Sequence, residues 1–135
     1  MTKPPWDLRE RTMVFGVAVY RFCRTLPDHG EARDIVRQLR RAASSTAANY
    51  RSSKRGRSDA EFISKIGQAI EEADECLFWL DFLSRIGLCE KSSTRDLTTE
   101  ADELVAILTA SQKTAKARRK QRVSARRTQR LAVAD

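Results

Sequence analysis

Apolar positions recur along this chain at intervals of three and four residues in four separate stretches, the spacing of one buried face on an α-helix. In the first, Leu8, Phe15, Ala18, Val19, Phe22 and Leu26 share one side to about residue 25, and Asp7 with Glu10 forms an opening capping box. Pro27-Asp28-His29-Gly30 reads as a turn. The second stretch runs from about Glu31 to Arg55, ahead of Gly56, with Ile35, Leu39, Ala42, Ala43, Thr46 and Tyr50 as its core face. Ser58-Asp59-Ala60-Glu61 is a second capping box. It opens the longest stretch, in which Ile63, Ile66, Ile70, Ala73, Leu77, Leu80 and Ser84 are flanked by Phe62, Ala69, Cys76 and Leu83. Gly87-Leu88 has the pattern of a left-handed C-terminal cap with its hydrophobic contact. Ser93 with Asp96 opens the fourth stretch, whose seam is Leu97, Ala101, Leu104, Leu108 and Ser111. No strand pattern competes, so the predicted fold is all-α: an antiparallel up-down-up-down four-helix bundle over residues 1–111. Beyond it the basic side chains point all round the helical wheel, which predicts a disordered basic C-terminal extension over residues 112–135 that could order on an anionic partner.

Some apolar side chains fall outside these seams. Trp79, Phe82 and Ile86 lie opposite Ile70, Leu77 and Leu80, and Met13, Val17 and Tyr20 lie away from the main face of the first helix. A bundle helix needs one apolar stripe, so the second stripe predicts a homo-oligomer with these six residues at its interface. The run Ala42 to Ala48, small throughout, reads as a site of close helix approach, and Asn49 as a buried hydrogen-bonding residue.

The polar side of the second helix carries the main functional lead. Arg33, Arg37, Arg40, Arg41, Arg51 and Arg55 fall within roughly 100° of arc. Arginine presents a planar fork of donors suited to phosphate oxygens, although the same forks pair equally well with carboxylates. The formal charge of +8 is unevenly spread. Residues 112–135 carry nine basic side chains and one acid, whereas residues 1–111 carry 17 of each. Within that neutral body, residues 33–57 sum to +7 and residues 58–111 to −8. A basic tail, including Lys116, Arg118, Arg119 and Lys120, is therefore attached to a dipolar body. The acids Glu71, Glu72, Asp74, Glu75 and Asp81 flank the third seam and are expected to pair with the helix-two arginines, in the same subunit or the next.

Other chemistries find no support. The three cysteines, Cys23, Cys76 and Cys89, are an odd set without close pairing and read as reduced thiols of a cytoplasmic protein. The longest apolar run, Met13 to Tyr20, is too short to span a bilayer, and no signal-peptide pattern opens the chain. The single histidine, His29, lies in a turn, so neither a Glu-x-x-His metal pair nor a base for Ser44 or Ser45 is available. No phosphate-cradling glycine loop or zinc spacing occurs. A non-enzymatic protein without cofactor or metal is expected.

Two blocks of sequence carry a resemblance. They are Gln38-Leu39-Arg40-Arg41-Ala42-Ala43 followed by Asn49, and Ala60-Glu61-Phe62-Ile63 leading through Glu71-Glu72-Ala73-Asp74-Glu75 to Leu77-Phe78-Trp79-Leu80-Asp81-Phe82-Leu83. Over about residues 7–112 the chain resembles the small bacterial four-helix-bundle family of 23S rRNA intervening-sequence proteins. That family has a relative in the accessory variability protein of diversity-generating retroelements. The resemblance implies a toroidal homopentamer. For the retroelement relatives it also implies binding of RNA and a reverse transcriptase through a basic surface, and the family label suggests a ribosomal partner. Arg40, Arg41 and Asn49 match the family pattern. The chain departs from it at Ala47, where many members have proline, at Tyr50-Arg51-Ser52-Ser53 after Asn49, and at Glu71 and Glu72, where many have Gly-Ser.

Two functions compete at this point. One is an oligomeric protein binding nucleic acid, most naturally RNA, through its phosphate backbone. The other is a homo-oligomeric interaction scaffold whose basic and acidic helices satisfy each other. They differ in whether the helix-two arginines are free or already paired.

Overall fold

A computed structural model describes residues 7–134. The N-terminus on which the signal-peptide reading rests, residues 1–6, and the last acid, Asp135, lie outside the described residues. The described chain is all-helical, with α1 at Leu8–Cys23, α2 at Gly30–Lys54, α3 at Asp59–Arg85 and α4 at Arg95–Ala134. A short 3-10 turn at Lys91–Thr94 precedes α4. No strand occurs among the described residues.

Local chemistry sets the helix ends. Asp7 accepts from the Arg9 amide at 2.9 Å, and Ser58 Oγ accepts from the Glu61 amide at 3.1 Å. The Glu61 carboxylate reaches back to the Arg57 amide, so the box at the start of α3 closes one residue before its cap. Glycine is needed at both positive-φ positions, Gly30 at +59° and Gly87 at +83°. Past Gly87, the Leu88 amide returns to the Leu83 carbonyl at 3.1 Å, completing the C-terminal cap of α3. The fourth helix starts differently from expectation. Ser93 sits inside the 3-10 turn and makes no side-chain capping bond among the described residues, and Thr94 there is buried.

The four helices form a bundle in which α2 packs on α1 and α3, α3 packs on α2 and α4, and α1 meets α4 over a shorter length. One core cluster joins Phe15, Val19, Leu39, Ala43, Cys76, Leu80, Leu83 and Leu104; a second joins Tyr50, Ile66, Ala69 and Leu108 near the other end. Buried Gly16 packs against α2, where a Cβ would lie in ordinary contact 3.5 Å from the Ala43 carbonyl oxygen. The small-residue run of α2 serves this contact. Ala42, Ala43, Thr46 and Ala47 are buried, and the Thr46 hydroxyl turns back to the Ala42 carbonyl at 2.8 Å.

The end of the chain departs from the sequence reading. Residues 112–134, expected to be disordered, continue α4 as helix. Three contacts anchor its root: Gln112 Nε2 donates to the Ile63 carbonyl at 3.2 Å, Ala115 is buried, and Arg122 pairs with Asp59 at 2.6 Å. Residues 113–134 are rich in Ala, Arg and Lys and free of Gly and Pro, so intrinsic propensity sustains the helix where packing stops. From Lys116 to Ala134 every residue is exposed.

Candidate nucleic-acid interface

The six arginines of α2 share one arc on a wheel but not one environment. Arg33, Arg37 and Arg41 are exposed on the outer side of the helix; Arg33 makes a loose 3.4 Å pair with Asp28 across the preceding turn. Arg40 turns inward. Its guanidinium carbon stands 5.8 Å from the Tyr20 ring centre, its Nε is buried without a hydrogen-bond partner, and its charge acts on the Cys23 thiol. Arg51 and Arg55 are exposed beside a groove of about 750 Å³ between α1 and α2, floored by Met13, Val17, Tyr20 and Ala47.

The expected pairing with the acids of α3 is absent within the chain. Among the described residues, no carboxylate lies within ion-pairing distance of Arg37, Arg40, Arg41, Arg51 or Arg55. The reason is directional: Glu71 and Asp74 are exposed on α3 as Arg37, Arg41, Arg51 and Arg55 are exposed on α2, while Arg40 turns to Tyr20 on α1. Glu72 and Glu75, half-buried, do approach α2. Burial, then the neighbouring Glu75, raises the Glu72 carboxyl above its usual range, with Arg41 opposing weakly. The Glu75 carboxylate is occupied by Trp79 Nε1 at 3.1 Å. Asn49, expected to be a buried hydrogen-bonding residue, is only half-buried and makes no side-chain hydrogen bond among the described residues.

Sequence reasoning missed a second basic cluster, because it is assembled by the fold. A groove of about 800 Å³ opens where the α2–α3 corner meets α4, and Lys54, Arg57, Arg118 and Arg122 all line it. Asp59 is the acid in that lining, and it is taken up by Arg122. Lys54, Arg57 and Arg118 have no carboxylate within ion-pairing distance among the described residues. The anchoring of α4 along α3 thus brings the first turns of the basic extension beside the basic end of α2. Lys116, Arg119 and Lys120 are exposed on the same turns of the extension. Helical propensity beyond Gln112 was the signal that could have suggested it.

The residues expected at a subunit interface remain largely uncovered. Met13, Val17, Tyr20, Phe82 and Ile86 are exposed, whereas Trp79 is half-buried against the main core. Phe78, which the wheel did not single out, is the most exposed aromatic of α3 at 56% and stacks edge-on with Trp79 at 4.8 Å. Arg11 was also missed: it donates to Glu100 at 2.6 and 3.0 Å and to Glu103 at 2.6 Å, clamping α1 to α4.

The cysteines show no reactive setting. Burial pushes the Cys23 thiol up to about 11 and the Cys76 thiol up to about 12. Among the described residues no cluster of His, Cys, Asp and Glu could hold a metal ion, and no helix is long and apolar enough to cross a membrane.

Comparison with known proteins agrees with this architecture. A crystal structure of a protein with unknown function from the S23 ribosomal protein family, from Bacteroides thetaiotaomicron, superposes with a TM-score of 0.68 at 24% identity. The match covers 76% of this chain and 94% of that one, and it speaks to fold alone. No curated protein sequence matches the chain significantly. The family model described as 23S rRNA-intervening sequence protein matches residues 6–110, nearly the whole bundle and none of the exposed extension. The chain belongs to the 23S rRNA-intervening sequence protein family.

Proposed function

We propose that this is a non-enzymatic, homo-oligomeric protein that binds the phosphate backbone of structured RNA. The scaffold is an up-down-up-down antiparallel bundle, a reading supported by the contacts of Gly16 with Ala43 and of Tyr20 with Arg40. The oligomer is the homopentamer that the family resemblance implies, working in the cytoplasm. The observation that carries the nucleic-acid reading is the convergence of Lys54, Arg57, Arg118 and Arg122 on one groove. Basic groups without intramolecular partners are free to neutralise phosphates and release condensed counterions. Arg55, Lys116, Arg119 and Lys120 extend the surface, and Arg33, Arg37 and Arg41 form a second outward patch on each subunit. Repetition of these surfaces over an oligomer adds avidity.

The contacts favour backbone and shape over base reading. Phe62, the aromatic residue of the groove lining, is half-buried, so no exposed ring is offered for stacking there. The test is binding of the full chain to a structured RNA hairpin by fluorescence anisotropy. The variant Lys54→Glu, Arg57→Glu, Arg118→Glu is expected to lose at least tenfold in affinity while keeping its helical circular dichroism. Unchanged affinity in that variant overturns the reading.

A further inference from the structure

From Lys116 to Ala134 every residue of α4 is exposed, so the helix runs on for about 28 Å past the core, over a stretch the family match does not reach. With the helix in register, its bases are not evenly spread. Lys113, Lys120 and Arg127 form one row, and Arg118 and Arg122 lie on the opposite side. Lys116, Arg119, Arg126 and Arg130 fill the arc between them, roughly 220° in all. The remaining side carries Ala117, Gln121, Ser124, Ala125, Thr128 and Ala132, without a charge. Arg118 and Arg122 line the corner groove with Lys54 and Arg57, so the row of Lys113, Lys120 and Arg127 faces away from it. We propose that this helix lies in the deep groove of an RNA duplex opened by an internal loop. One strand's phosphates rest on the corner groove, and the other's on the row of Lys113, Lys120 and Arg127.

Bases on opposite sides of one helix meet anions on both sides at once. A lone strand or a flat layer of lipid headgroups supplies them on one side; the two walls of a duplex groove supply both. The extension also lacks an apolar face, since exposed Val123, Leu131 and Val133 fall at scattered positions among the bases, which suits neither a bilayer nor an apolar protein groove. Its charges repel one another along the helix: Lys116 and Lys120, Arg118 and Arg122, and Arg126 and Arg130 are like-charged pairs four residues apart. Among the described residues the one acid that reaches the extension is Asp59, on Arg122. Phosphates on both flanks relieve that repulsion. An α-helix with its side chains is about 10–12 Å across, which a groove of about 12 Å admits. The deep groove of regular A-form RNA is too narrow, so unpaired nucleotides must widen it. The uncharged side of the helix then turns to solvent.

This inference rests on the RNA-binding reading of the corner groove and names the RNA structure it takes. The test uses the full chain and fluorescence anisotropy with three labelled RNAs: a regular hairpin duplex, the same duplex with a central internal loop, and the same duplex with those unpaired nucleotides moved to one end. Wild type is expected to bind the internal-loop RNA about tenfold more tightly than the other two. Ser124→Pro breaks the helix at an exposed position without changing its charge. It is expected to reduce that preference to about twofold or less while keeping its affinity for the regular duplex. Lys113→Gln with Lys120→Gln and Arg127→Gln removes the outer row at exposed positions and is expected to lose the preference likewise, a second check should proline disturb the bundle. Circular dichroism reports whether the bundle stays folded. A wild type that binds the internal-loop and end-loop RNAs equally, or a variant that keeps the preference, overturns the insertion and leaves the RNA reading of the corner groove standing. Binding to none of the three RNAs overturns that reading and the insertion with it.

Discussion

The guanidinium carbon of Arg40 stands 5.8 Å from the centre of the Tyr20 ring, which separates this arginine from the others on its face. Neighbouring Arg37, one turn earlier, points to solvent. Cation–π contact and the packed aliphatic stem make Arg40 part of the α1–α2 seam. Arg40→Ala is expected to cost about 1–2 kcal/mol in urea denaturation, and Arg37→Ala less than about 0.5 kcal/mol. Equal effects would show that Arg40 is a surface residue in solution.

Arg11 holds two carboxylates on α4 and is mostly buried at its tip. Removing it leaves Glu100 and Glu103 facing each other without a counter-charge. Arg11→Ala is expected to destabilise by about 1–3 kcal/mol, below the loss for a fully buried pair because Glu103 remains wet. Arg11→Ala combined with Glu100→Gln should recover part of that loss, which a double-mutant cycle reads directly.

Much of the fold was legible in the periodicity, and the misses have specific causes. The core faces of α1, α2 and α3 emerged in outline, but Ile35 of the expected α2 face and Ile63, Ile70 and Leu77 of the expected α3 seam are only half-buried, because the core line of α3 is shifted to Ile66, Ala69, Ala73, Cys76, Leu80 and Leu83. The helix beyond Gln112 was missed because a wheel without an apolar face shows nothing to bury. Its root is anchored by a glutamine, an alanine and an arginine that carry no periodic signal. The six-arginine ladder was visible as an arc, but the inward turn of Arg40 depends on Tyr20 from another helix. Likewise the basic groove joins residues on α2 and α4, and linear spacing cannot bring Arg57 to Arg118.

The Glu72 carboxyl is raised by burial and by Glu75. A carboxyl whose native pKa lies above its unfolded value binds its proton more tightly when folded. Its contribution to stability is therefore full below the unfolded pKa and lost as pH rises through the native one. Glu72→Gln should raise the melting temperature at neutral pH relative to wild type, and the difference should shrink towards zero near pH 4. A difference that persists unchanged at acid pH would assign the effect to packing.

Cys23 and Cys76 are buried and held as thiols by their raised pKa values, while Cys89 is half-buried with a smaller barrier to solvent. A thiolate-selective reagent at pH 8 should label Cys89 first in the native protein. The other two should react only in denaturant. Rapid native labelling of Cys76 would mean that the α2–α3 interface opens readily.

The most direct test of the central claim is the salt dependence of RNA binding by the full chain. The slope of log affinity against log salt counts the phosphates neutralised, at about 0.7 per contact for single strands and about 0.9 for a duplex. Replacing Lys54, Arg57 and Arg118 by Gln should weaken binding and flatten that slope by about 2–3. An unchanged slope with unchanged affinity would contradict the assignment of this groove to nucleic acid.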